Sequence, residues 1–176
     1  MTDLPAGTTP EALSSRGPAG RALEGACIGL ALAGGLVLVS IALMSAVSIV
    51  SRAVLGLPIQ GDYELVQQGT ALFVACCLPI TQIRYTNIIV DFFTARTSNR
   101  TQARLDAFGA LVVAVVMLAV AWRTGVGLVS IYRSGETTTI LGIPTWYTYA
   151  GMMPGLALCA VAGFYCAAEK WRESGR

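Results

Sequence analysis

The chain has 176 residues, 55% of them hydrophobic and 12% charged, with a formal net charge of +2. A soluble domain usually carries about 25% charged residues, so this composition excludes an ordinary soluble enzyme, and the scattered basic residues do not form a nucleic-acid surface. The count of histidines is 0, which excludes bis-histidine haem ligation, an imidazole base and the usual proton relay.

Residues 1–22 are rich in Pro, Gly, Ser, Thr and Ala and show no hydrophobic period, so they are expected to form a disordered cytoplasmic tail. A cleaved signal peptide is the competing reading, but its apolar region runs about 7–15 residues, and the first apolar stretch here is longer. Residues 23–171 read as one four-span membrane domain and residues 172–176 as a C-terminal tail. The four apolar stretches are Leu23–Val50, Tyr63–Ile83, Leu105–Val129 and Pro144–Ala168. Each reaches the length of about 20 residues that a helix needs to cross the hydrocarbon core.

The first stretch carries Ser40, Ser45 and Ser48 and the small pairs Gly25/Gly29 and Ala31/Gly35. Small residues four apart let helices approach closely, here most simply within the bundle, with contact to another subunit as the alternative. Arg52 follows at the helix C-terminus, where the dipole favours a cation. Gly56, Pro58 and Gly61 mark a turn.

The second stretch opens on Asp62, a candidate N-cap, and Glu64. Glu64, Gln67 and Gln68 share a helical face, which faces either interfacial water or a partner. Pro79 is expected to kink this span near its cytoplasmic end. In Tyr85–Thr97, Ile88, Ile89, Phe92 and Phe93 alternate at helical spacing with Asn87, Asp91, Thr94 and Arg96. That pattern suits an amphipathic segment lying in the interface or, equally, an early turn of a bent helix.

The third helix is expected from about Gln102 to Tyr132. Arg123 lies 18 residues beyond Leu105, about 27 Å of helix, so its guanidinium is expected at the far headgroups with Trp122 in an interfacial belt. Trp146, Tyr147 and Tyr149 form a second aromatic belt, and Trp171 marks the opposite interface. Pro144 suits the first turn of the last helix, and Pro154 a bend within it.

Charge sets the orientation. Arg16 and Arg21, then Arg84, Arg96, Arg100 and Arg104, then Lys170, Arg172 and Arg176 fall on one side of a four-span layout, against Arg52, Arg123 and Arg133 on the other. The positive-inside rule makes the first side cytoplasmic. The fold class is therefore all-α: an integral membrane four-helix protein with cytoplasmic termini and an interfacial amphipathic segment between helices 2 and 3. Cys27, Cys76, Cys77, Cys159 and Cys166 all fall within spans and read as small packing residues. No metal, cofactor or catalytic set is expected.

Three segments carry a family resemblance. They are Arg52 with Pro58 and Glu64-Leu65, then Arg84-Tyr-Thr-Asn-Ile-Ile-Val-Asp91, then Leu141-Gly-Ile-Pro-Thr-Trp146 with Tyr149 and Pro154-Gly155. In this order and layout they resemble the small membrane subunit, the DctQ type, of tripartite ATP-independent periplasmic (TRAP) transporters. The family often reads Arg, two residues, His-Ile, one residue, Val-Asp at the second segment, whereas Asn87 stands here at the histidine position. The resemblance implies a bacterial inner-membrane assembly with a large membrane subunit that holds the substrate and sodium sites and moves as an elevator. A periplasmic substrate-binding protein delivers an organic acid, and the small subunit braces the large one. Arg52, Glu64, Arg84, Asn87, Asp91, Trp146 and Tyr149 are then candidate contacts to the partner or to membrane lipids.

Other classes fit less well. A stand-alone exporter calls for a central acidic residue and an intramembrane enzyme for a nucleophile with its base. No span carries an Asp or Glu at its middle. A scaffold subunit of another membrane complex is the remaining alternative.

Overall fold

The computed structural model describes residues 18–56, 59–84 and 99–174. They form four α-helices: α1 (Pro18–Leu55), α2 (Asp62–Ile83), α3 (Asn99–Ser134) and α4 (Trp146–Ser174). All four are long and apolar enough to cross a membrane, and the described residues contain no strand beyond one isolated bridge. The turn after α1 and the connection between α3 and α4 sit at one end of the bundle, called the hairpin end. The opposite end, where α1 begins and α4 finishes, is the termini end. The expected tail over 1–17, Pro58 and the amphipathic segment with Asn87 and Asp91 lie outside the described residues.

The helices pack in the order α1, α2, α4, α3. α2 and α4 are therefore central, and α1 and α3 are outer. Burial follows: the most apolar window of α4 is 44% buried, against 11% in both α1 and α3. In a membrane the exposed apolar side chains of the outer helices meet lipid or a partner, so their exposure carries no penalty there.

The interior is built from very small residues, among them Ala75, Cys76, Ala114, Cys159, Ala162 and Cys166. Small contacts let helix backbones approach until dispersion and weak C–H···O contacts hold them, since lipid offers no hydrophobic drive for helix association. The closest approach is Gly155 of α4 on Ala75 of α2. Pro79 has no N–H to give the Ala75 carbonyl four residues earlier. An ideal Cβ on Gly155 would run into that same carbonyl oxygen, so the Gly155 Cα–H points at it instead. The helix runs on through Pro79 and through Pro154.

Gly163 meets Ala114 of α3, where an added Cβ would lie 2.8 Å from the alanine Cβ. Gly34 of α1 meets Cys76 in the same way, at 2.7 Å. The small pair expected to pack α1 is not the one used. Gly25, Gly29 and Gly35 have open space around them, and Gly34 makes the contact.

Candidate functional site

The hairpin end is held by side chains from three helices. Gly61 precedes α2 with φ +77 and no side-chain cap, and its carbonyl accepts from Leu65 N–H at 3.1 Å. The left-handed backbone favours glycine. Asp62 thus lies inside the helix rather than capping it. Its Oδ2 accepts the Ser48 hydroxyl of α1 at 2.7 Å, and the Arg52 guanidinium stands 3.9 Å away. Ser48 is fully buried, whereas the Arg52 side chain is 62% exposed. The serine contact therefore fixes α1 to α2, and the exposed pair adds about 0–1 kcal/mol.

Glu64 reaches the connection between α3 and α4. Its Oε1 accepts from Ile140 N–H at 2.8 Å and its Oε2 from Leu141 N–H at 3.1 Å. That connection is itself a tight turn. Thr138 N–H donates to Ile143 carbonyl at 2.9 Å, Ile143 N–H to Thr138 Oγ1 at 3.1 Å, and Thr145 N–H to Glu136 carbonyl at 3.1 Å. Pro144 takes part in the bridge to Thr137 rather than in the helix, which begins two residues later. A carboxylate accepting successive backbone N–H groups is the arrangement that binds anions elsewhere. Here α2 supplies the anion itself. One turn along α2, Gln68 Oε1 accepts the Thr148 hydroxyl of α4 at 2.7 Å. Glu64 and Gln68 of the polar face of α2 thus bind the turn and α4, while Gln67 stays exposed.

Aromatic residues at this end pack on one another and on α3. Trp146 stacks on Tyr147 with centroids 4.0 Å apart and meets the edge of Tyr132 at 5.6 Å. The Tyr149 ring lies over Gly127, where an added Cβ would be 3.4 Å from it. Tyr147 is exposed, while Trp146 and Tyr149 are half-buried.

At the termini end, Glu24 of α1 is buried to 7% exposure, and its Oε1 faces Arg84 Nε at 3.9 Å. Arg84 ends α2, with its N–H bonded to the Ile80 carbonyl at 3.2 Å. Beside this pair, the Cys166 thiol of α4 points at the Gln82 carbonyl at 3.7 Å. Cys27, Ile83, Ala110, Ala162 and Cys166 close the core there. Glu24 is the residue that sequence reasoning missed. A lone acid ahead of an apolar run reads as solvent-facing, and only the fold brings Arg84 to it.

Arg123 and Trp122 are not at the hairpin end. α3 continues to Ser134, eleven residues past Arg123 and about 16 Å further along the axis. Among the described residues, no group of three Cys, Asp or Glu is placed to hold a metal.

Of the candidate contacts, Arg52, Glu64, Trp146 and Tyr149 gather at the hairpin end, and Arg84 lies at the other. No curated protein and no solved structure matches the chain. The model of the DctQ component of tripartite ATP-independent periplasmic transporters matches residues 41–173, from the second half of α1 to the end of α4, and the chain belongs to this family of multi-pass membrane transporter components.

Proposed function

We propose that this chain is the non-transporting small subunit of its TRAP system, bracing a large elevator-type membrane subunit. The assembly takes up an organic acid, driven by an ion gradient, from a periplasmic binding protein. It sits in the bacterial inner membrane with both termini in the cytoplasm, uses no ATP, performs no catalysis and contacts no nucleic acid. Arg52, Glu64, Arg84, Asn87, Asp91, Trp146 and Tyr149 serve the partner-facing or lipid-facing ends, directly or by holding the turns in shape.

One observation carries the reading: the inward-facing positions at mid-depth are Gly34, Ala75, Cys76 and Gly155, with Gly155 against the Ala75 backbone and Gly34 against the Cys76 Cβ. A transport site needs converging polar groups or broken helices near the midplane, and this interior packs them out. The wide apolar faces of α1 and α3 suit a brace instead. The test is affinity purification of the tagged chain from membranes that also hold the large subunit. Stoichiometric recovery of that subunit is expected. Recovery of a different membrane complex in its place would favour a scaffold role elsewhere.

A further inference from the structure

Arg123 lies near the middle of the bundle and faces outward. Its depth follows from the register of the helices. α3 runs antiparallel to α4, with Ala114 against Gly163, Gly125 against Met153 and Gly127 against Tyr149. Arg123, two residues before Gly125, is thus level with Gly155, which rests on Ala75, while Gly34 rests on Cys76. Gly34 stands ten residues from Glu24 and fourteen from Ser48, the polar ties at the two ends. That is about 15 Å and 21 Å of helix, so both headgroup regions are far away. A helical Cβ tilts toward the helix N-terminus, which aims the Arg123 side chain away from the nearer end of α3.

The guanidinium is exposed and makes no hydrogen bond or ion pair among the described residues. A charge at this depth is costly in lipid and is normally paired. Among the described residues no acidic residue is level with it: Glu24, Asp62, Glu64, Glu136 and Glu169 all lie toward the ends of the bundle. A second copy would offer no acid at this level and would bring another Arg123. A phosphate of the lipid headgroups lies more than a side chain's reach away.

We propose that the outer face of α3 around Arg123 docks a transmembrane helix of another protein that carries an Asp or Glu near mid-membrane. The surroundings fit such a helix. Trp122 is 76% exposed beside Arg123. Next to Arg123, rather than lined by it, an open groove of about 700 Å³ runs along Leu118, Ala121, Trp122, Gly125 and Val126 and on toward Arg133, with Met153 as its wall. Glycine and alanine in the groove allow close approach, and a Trp–Arg pair is the composition that dominates binding at interfaces.

This inference rests on the reading of the chain as a subunit and adds the face and the charge that hold it. The test uses the full-length tagged chain expressed with the large membrane subunit, purified as wild type, Arg123→Leu and Arg123→Lys. Arg123→Leu is expected to lower the recovered partner at least tenfold, with Arg123→Lys within about threefold of wild type. Expressed alone, Arg123→Leu should insert as well as wild type or better, because it removes an unpaired charge, so a folding defect does not explain the loss. A photo-crosslinker at Val126 should capture the partner, and one at Leu36 on α1 should not. If wild type recovers the partner and Arg123→Leu recovers as much, the docking face is overturned while the subunit reading stands. If wild type recovers no membrane partner, both fall. Loss of a tightly held phospholipid from Arg123→Leu, with the partner retained, would overturn the proposal in favour of a lipid site.

Discussion

Alanine in place of glycine should act with opposite sign at two positions of this bundle. At Gly155 the new methyl meets the carbonyl carbon and oxygen of Ala75, with Cys76 N at 3.2 Å behind them. Those atoms are backbone of a packed helix and cannot swing aside, so α2 and α4 must separate. Overpacking of this kind costs about 1–3 kcal/mol, roughly 5- to 140-fold in the unfolding equilibrium at 1.4 kcal/mol per factor of ten. At Gly109 of α3 nothing lies within 4 Å of the added methyl, and alanine gains about 0.5–1 kcal/mol from its lower backbone entropy. The two variants should therefore differ by about 1.5–4 kcal/mol although the chemical change is identical. SDS-induced unfolding in mild micelles, followed by loss of helicity, reads the difference directly. Equal stabilities would refute the claim that α2 and α4 are held by backbone contact at Gly155.

Three further outcomes are expected. Glu64→Ala removes the acceptor of Ile140 and Leu141 N–H, so hydrogen exchange at 138–143 should accelerate while the core helices stay protected; unchanged exchange would mean that the turn holds itself. Arg84→Ala strips the counter-ion from buried Glu24 and should destabilise the isolated chain more than Arg52→Ala, whose exposed pair contributes about 0–1 kcal/mol; a double variant with Glu24→Gln should recover part of the loss, and equal effects of the two arginine variants would count against the Glu24 tie. A cysteine placed at Gly135 should react with an impermeant thiol reagent from the periplasmic side, and labelling only after the cytoplasmic side is opened would reverse the orientation.

The four helices, their order and the turn signals were legible because length and hydropathy report directly on membrane spanning. Arg52, Glu64, Arg84 and the Leu141–Trp146 segment could also be read, since they lie at helix ends where the pattern changes. Partnerships across the bundle could not. Glu64 and Ile140 are 76 positions apart, and nothing local to either marks the other. Glu24 and Arg84 each look like an ordinary charge at a span boundary, and only the antiparallel pairing of α1 with α2 joins them. Asp62 reads as a helix cap, but Gly61 takes that place because its backbone is left-handed, which frees the aspartate for Ser48. The position of Arg123 along the bundle is of the same kind: it is set by the packing of α3 against α4, with Gly125 against Met153, which hydropathy does not encode.

The central claim is that this chain supports transport without conducting it. Proteoliposomes holding a sodium gradient can be loaded with the large membrane subunit, with this chain, or with both, and supplied with the binding protein carrying its organic acid. The account predicts substrate accumulation only when both membrane chains are present. Accumulation by this chain alone, or full uptake by the large subunit without it, would contradict the account.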